Sequence, residues 1–178
     1  MKDLDLKILR AMRTRGHARP IEETARLLGK GGNNGSGWFL ANAALAAADK
    51  PRRRAWATCA ILGPAAIGLN YGIKLVVKRP RPVLKGLPPL GGAPSSLSFP
   101  SAHSTSSFAV ATAMTRVDSR AKVAFIPAAA MALGRPYLGM HYPSDVVVGV
   151  LLGLALGATV PLPKPESDAE YGTWGEER

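Results

Sequence analysis

Charged residues are distributed unevenly along the 178-residue chain, which separates it into apolar and polar segments. Five stretches contain no Lys, Arg, Asp or Glu: 31–48, 55–73, 86–115, 123–134 and 146–162. The chain shows no strand-like alternation of apolar and polar residues and no internal repeat. The pattern therefore predicts an all-α protein, an antiparallel bundle of about five core helices.

Two of these stretches have the length that a membrane-spanning helix needs. A span requires about 20 apolar residues, a condition that residues 55–73 meet and residues 146–162 approach. The other stretches are shorter or contain polar residues, which suits helices packed inside a bundle. We therefore predict an integral-membrane bundle, with Trp38 at the membrane interface.

The bundle is predicted over residues 38–160. Its helices are expected at 38–48, 55–77, 101–115, 123–134 and 143–160. Pro80 and Pro82 end the second helix, because proline cannot continue helical hydrogen bonding, and Pro143 fits the first position of the last helix. The Gly-, Pro- and Ser-rich segment 83–99 is predicted to be a loop.

Residues 1–30 form a basic, amphipathic segment. Leu4, Ile8 and Met12 share one helical face, and Pro20 marks the start of a second helix. The segment suits a helix lying in the headgroup layer or a charged helix capping the bundle, and it lacks the pattern of a signal peptide. The glycine run at 29–37 lacks the order of a phosphate loop, so we expect a flexible loop there.

The domain organisation follows from these segments. Residues 1–162 are predicted to form a single domain, consistent with the length of the chain. Residues 163–178 are acidic and without pattern, and are predicted to be disordered.

The net charge of +11 and the isoelectric point of about 10.3 indicate an anionic partner. Nucleic acid is disfavoured, because aromatic residues make up only 6% and no recognition motif is present. A membrane surface and a phosphorylated substrate remain as the expected partners.

Three clusters of polar residues between 74 and 145 carry candidate chemistry. They are Lys74 with Arg81, then Ser101, Ala102 and His103, then Arg135 with His141 and Asp145. In an antiparallel bundle the helix ends that carry them meet at one end. The cations and the first-turn amides of a helix suit phosphoryl oxygens.

His141 and Asp145 form the sharpest pair. A carboxylate in the first turn of a helix can fix the tautomer of an imidazole and leave its other nitrogen free to attack. Two histidines and one aspartate among three cations make a poor divalent-metal site, so we expect no metal and no cofactor. We interpret Lys78, Arg79 and Lys85 as an ordinary basic helix end.

Three motifs resemble those of the phosphatidic acid phosphatase type 2 superfamily. They are Lys74-X6-Arg81-Pro82, Pro100-Ser101-X-His103 and Arg135-X5-His141-X3-Asp145. Gly134 stands where the family usually has Ser, and Ala102 where Gly is common. Within the superfamily, the local sequence of residues 74–82 and 97–105 is most similar to that of small enzymes that dephosphorylate decaprenylphosphoryl-5-phosphoribose in cell-wall synthesis.

The resemblance implies a role for each motif residue. His141 is the nucleophile that forms a phosphohistidine, Asp145 orients it, and His103 is the general acid. The resemblance also implies a set that holds the phosphoryl oxygens, namely Lys74, Arg81, Ser101, Ala102 and Arg135.

The expected function is hydrolysis of a lipid phosphomonoester or pyrophosphate at a bacterial-type plasma membrane. Polyprenyl-linked phosphates, undecaprenyl pyrophosphate and glycerolipid phosphates all fit. The alternatives are a soluble acid phosphatase of the same superfamily and a non-catalytic basic membrane-binding module. The count of Lys and Arg at the two ends of the bundle favours a site that faces the cytoplasm. The preference reverses when residues 1–30 and the site cations are excluded from the count.

Overall fold

The computed structural model describes residues 2–93 and 95–165, which contain seven α-helices and no strand. The helices are α1 (Lys2–Thr14), α2 (Arg19–Gly31), α3 (Ser36–Ala48), α4 (Arg53–Val77), α5 (Ala102–Val117), α6 (Phe125–Tyr137) and α7 (Pro143–Thr159). Short 3-10 turns lie at Asn33–Gly35, Lys50–Arg52 and Ser119–Ala124. The all-α prediction is confirmed. Most of the predicted tail at 163–178 lies outside the described residues.

Helix α5 is the centre of the bundle. It packs against α4, α6 and α7, while α3 packs on the outer side of α4. Its buried face joins Trp38, Trp56, Cys59 and Met131 in the main hydrophobic cluster. Trp38 is therefore a core residue, and its indole Nε1 donates to Ser107 Oγ at 3.0 Å. The predicted place of Trp38 at a membrane interface is wrong.

Helices α5 and α7 lie close together because α7 carries glycine at every fourth position of the contact. A Cβ at Gly149 would lie 2.7 Å from the Ser101 carbonyl oxygen, and a Cβ at Gly153 would lie 2.5 Å from that of Thr105. Gly157 makes the equivalent approach to Ala109. Residues four apart share one helical face, so the three glycines form a continuous groove for α5.

The outer surface of the bundle is apolar. Residues 50–77 form one stretch that is long and apolar enough to cross a membrane, and Pro143–Thr159 is apolar but shorter. Large side chains on α3, α4, α6 and α7 are exposed, among them Leu40, Ile61, Val76, Ile126 and Leu151. At 1.5 Å per residue the 25 residues of α4 extend about 37 Å, more than the ~30 Å hydrocarbon core of a bilayer.

Helix α1 turns a polar side toward the protein. Asp5, Leu9 and Arg13 are buried at spacings of four residues, whereas Leu4 and Ile8 are exposed. The Arg13 guanidinium donates to the Pro88 carbonyl at 2.7 Å, which attaches α1 to the loop after α4. The helix therefore covers one end of the bundle with an apolar stripe facing outward.

We expect Gly153→Ala to destabilise the bundle, because its methyl group would collide with the backbone of α5. The cost of such overpacking is about 1–3 kcal/mol. Gly68→Ala on α4 is the matched control, since nothing lies within 4 Å of a Cβ there. Thermal unfolding of the purified variants measures both effects, and equal melting temperatures would contradict the packing described.

Candidate active site

The predicted site residues meet at one end of the bundle, around a cavity of about 750 Å³. Six of them line its wall: Lys74, Arg81, Ala102, His103, Arg135 and His141. They come from the end of α4, the loop after it, the start of α5, the end of α6 and the loop before α7. The convergence follows from the alternating directions of neighbouring helices.

The imidazole of His141 is held in one tautomer. Its Nε2 lies 3.1 Å from Arg81 Nη1, and a guanidinium only donates, so Nε2 carries the lone pair. Nδ1 therefore carries the proton and lies 3.5 Å from Asp145 Oδ2, a distance longer than a formed hydrogen bond. Burial lowers the pKa of His141 to about 3, against the opposing effect of Asp145, so the ring is neutral at neutral pH.

Asp145 is fully buried in the first turn of α7, and both of its oxygens are engaged. Oδ2 accepts from the Tyr142 backbone N–H at 3.0 Å, and Oδ1 accepts from Arg79 Nη1 at 2.7 Å. These two bonds fix the plane of the carboxylate beside His141.

The cations of the site are held by backbone carbonyl groups. Lys74 Nζ donates to the carbonyls of Leu97, Ser98 and Pro100 at 3.3, 3.0 and 2.8 Å. Arg81 donates to Ser95 O through Nε at 2.8 Å and to Met140 O through Nη1 at 2.6 Å. Arg135 differs, because its buried Nε has no hydrogen-bond partner among the described residues.

His103 is held by the segment that precedes the bundle. Its Nε2 lies 2.9 Å from the Gly29 carbonyl oxygen, which can only accept, so Nε2 carries a proton. A Cβ at Gly32 would lie 2.7 Å from the His103 ring, so the end of α2 and the turn after it lie directly over the imidazole. The prediction of a flexible loop over 29–37 is wrong at its start, because α2 continues to Gly31.

Ser101 lies beneath the cavity wall and not on it. It is fully buried, and its Oγ accepts from the backbone N–H and the hydroxyl of Ser104 at 3.4 and 2.9 Å. Its hydroxyl therefore caps α5. Contact between Ser101 and a phosphoryl oxygen stays a prediction.

Arg79 is the main residue that the interpretation of the sequence missed. The sequence suggests an ordinary basic helix end, but Arg79 is half-buried, with 24% of its side chain exposed, and contacts Asp145, Asp5 and the ring of Tyr142. Asp5 was missed as well, since it lies about 70 residues before the first motif. No spacing in the sequence indicates Asp5, because it shares its helical face with Leu9 and Arg13 and only packing shows that this face is buried.

Gly134 has a packing explanation. A Cβ at this position would lie 3.4 Å from the Cβ of Ala25, so α2 rests directly on α6 here. A serine here would bring its Cβ into van der Waals contact with α2. The departure from the usual family residue therefore accompanies the close approach of α2.

Fold and site together define a helical-bundle protein with an open cavity that is lined by cations and two histidines. The profile of the PAP2 superfamily matches residues 53–166. The chain belongs to this superfamily. The match begins at α4, so α1, α2 and α3 precede it.

Curated relatives and a solved structure are similar to the chain. Decaprenylphosphoryl-5-phosphoribose phosphatase of Mycobacterium tuberculosis is 41% identical over 138 residues, 77% of each chain. Its namesake from Mycolicibacterium smegmatis is 40% identical over 70% of this chain and 69% of the relative. A transmembrane PAP2 type phosphatidylglycerolphosphate phosphatase from Bacillus subtilis has a TM-score of 0.64 at 24% identity, covering 88% of this chain and 82% of that one. This last likeness establishes the fold.

Lys74→Met should weaken the binding of orthovanadate by about 10- to 100-fold, because it removes one buried positive charge from the wall of the cavity. Lys78→Met is the control, because Lys78 follows on the same segment but is exposed and does not line the cavity. Titration calorimetry on detergent-solubilised protein measures both affinities. Equal vanadate affinities of the Lys74→Met and Lys78→Met variants would contradict a role of Lys74 in anion binding.

Proposed function

We propose that the protein is an integral-membrane phosphatase that hydrolyses a lipid phosphate without a metal, through a phosphohistidine intermediate. The observation that carries the proposal is the neutral His141 ring, whose Nε2 lone pair lies on the wall of a cation-lined cavity shared with His103. A nucleophile, a proton donor and fixed positive charge are what phosphoryl transfer requires.

In the first step, His141 Nε2 attacks phosphorus and a P–N bond forms. The P–O bond to the lipid alcohol breaks, its electron pair goes to the leaving oxygen, and His103 in its imidazolium form protonates that oxygen and becomes neutral. Because burial disfavours the imidazolium, the negative charge of the bound phosphate has to stabilise it. The imidazole becomes positive as the bond forms. Asp145, facing Nδ1, stabilises that charge.

In the second step, His103 takes a proton from water and the resulting hydroxide attacks phosphorus. The P–N bond breaks, its electron pair returns to Nε2, and inorganic phosphate leaves. Lys74, Arg81 and Arg135 neutralise the oxygens throughout, together with the first-turn amides of Ala102 and His103. Lys74 and Arg81 are kept in place before substrate binds by the hydrogen bonds that they donate to backbone carbonyls.

A lipid substrate is favoured by the position of the site. The cavity lies at a helix end of a bundle whose sides expose large apolar residues, so a phosphate headgroup reaches it from the interface while the tail stays in the bilayer. Since the relatives from both mycobacterial species carry the name decaprenylphosphoryl-5-phosphoribose phosphatase, we propose a polyprenyl-linked phosphate as the substrate class.

His103→Ala should slow the hydrolysis of a lipid phosphomonoester by about 10²–10⁴-fold, because an alkoxide leaving group needs a proton. An activated aryl phosphate should be affected much less, and His141→Ala should abolish turnover of both. Phosphate release from detergent-solubilised protein measures these rates.

His17→Ala is the matched control, since His17 is the remaining histidine of the chain and does not line the cavity. Equal slowing of both substrates by His103→Ala would contradict the general-acid role. Loss of activity with chelator would contradict the metal-independent mechanism. If the protein released inorganic phosphate from no lipid phosphate, the non-catalytic basic membrane-binding module would replace the proposed phosphatase.

Opposite ends of a spanning bundle should be labelled from opposite sides of the membrane. Val83→Cys lies near the site end, and Lys122→Cys lies in the turn between α5 and α6. Wild-type protein is the control, because the native Cys59 is fully buried. An impermeant maleimide applied to spheroplasts should label one variant only, and the labelled one reports the orientation. Labelling of both would contradict a spanning arrangement.

A further inference from the structure

Asp5 of α1 lies against the base of the active site, although it precedes the superfamily match by almost 50 residues. It is buried, with 6% of its surface exposed. Its Oδ1 accepts from the Ser144 backbone N–H at 3.0 Å, and its Oδ2 accepts from the Ser144 hydroxyl at 2.5 Å. The same Oδ2 accepts from Arg79 Nη2 at 2.8 Å. Asp5 therefore binds the first turn of α7 and Arg79 at once.

Arg79 connects this carboxylate to the catalytic one. Its Nη1 donates to Asp145 Oδ1 at 2.7 Å and to the Ser144 hydroxyl at 2.8 Å, and its guanidinium carbon lies 3.9 Å from the centre of the Tyr142 ring. The fork of the guanidinium thus separates two carboxylates, with Asp5 on one arm and Asp145 on the other.

We propose that Asp5 is a positioning residue for phosphoryl transfer, acting through Arg79 to hold Asp145 against His141. The inference rests on the function proposed above and extends it to the N-terminal helix.

The charges explain why a second carboxylate is needed. Arg79 alone would neutralise Asp145, whose negative charge has to stabilise the imidazolium that forms at His141. With Asp5 on the opposite arm, the group of three keeps a net charge of −1. Burial alone would raise the pKa of Asp5, but the hydrogen bonds from Ser144 and Arg79 outweigh that effect and keep its pKa below the usual value. Asp5 is therefore ionised at neutral pH.

The geometry gives the second reason. Asp145 Oδ2 lies 3.5 Å from His141 Nδ1, so a small shift of the carboxylate decides whether a hydrogen bond forms as the ring becomes positive. Asp5 holds both Arg79 and the start of α7, the two elements that set the position of Asp145. Partners of this kind typically change activity by about 10- to 100-fold when they are removed.

Asp5→Asn removes the charge while the rest of the attachment of α1 remains. Leu9 is fully buried beneath the helix, and Arg13 still bonds the Pro88 carbonyl. Asp3→Asn is the matched control, because Asp3 lies on the same helix and is exposed. We expect Asp5→Asn to lower kcat about 10- to 100-fold with KM within twofold, and Asp3→Asn to leave both unchanged.

A double variant tests the route of the effect. If Asp5 acts through Arg79, then Asp5→Asn combined with Arg79→Gln should be no slower than Arg79→Gln alone, within about twofold. Additive losses in the double variant would overturn the assignment of the effect to Arg79.

Binding of two anions tests the inference apart from turnover. Orthovanadate adopts the five-coordinate geometry of the transition state, whereas inorganic phosphate resembles the ground state. Calorimetry should show that Asp5→Asn weakens vanadate by the factor lost in kcat and phosphate by less than twofold, at unchanged stoichiometry. A fall in stoichiometry, equal weakening of both anions, or affinities matching Asp3→Asn would overturn the inference. Wild-type protein that bound vanadate but released no phosphate would instead contradict the proposed function.

Discussion

The burial of several cations around one cavity is the constraint on which the site depends. Lys74 and Arg135 are almost fully buried, and Arg81 joins them on the cavity wall. Backbone carbonyls of the loop before α5 and of the segment before α7 accept from Lys74 and Arg81, which offsets part of the cost of burying these two ions. Arg135 differs, because its buried Nε has no partner among the described residues. Carbonyl groups fix the cations without cancelling their charge, which leaves the cavity positive and suited to an anion.

The positive charge around the cavity also affects the tautomer and the protonation of His141. Arg81 donates to His141 Nε2, so the proton of the ring is directed to the side of Asp145. Burial keeps the ring neutral and therefore nucleophilic, while a phosphate in the cavity would favour the cationic form that follows attack. The same arrangement of charges thus keeps His141 neutral before attack and stabilises the proposed intermediate after it.

The N-terminal helices contribute contacts to the active site. They precede the family match, yet they provide Asp5 beside Arg79 and the Gly29 carbonyl beside His103. Glycine at 29, 32 and 134 permits their close approach to the site. The outward face of α1 carries Leu4 and Ile8, which are exposed.

The sequence by itself determined the helical class, the segments of the bundle and the residues that meet in the cavity, because hydrophobic periodicity and motif spacing are local properties. It did not determine that Trp38 is buried, that Ser101 lies below the cavity wall, or that Arg79 joins two carboxylates. The burial of Trp38 and the ion pairs of Arg79 depend on contacts between distant residues, such as Ser107 with Trp38, 69 positions apart, and Asp5 with Arg79, 74 positions apart. Only packing brings such residues together, since no spacing along the chain records which side of one helix faces another.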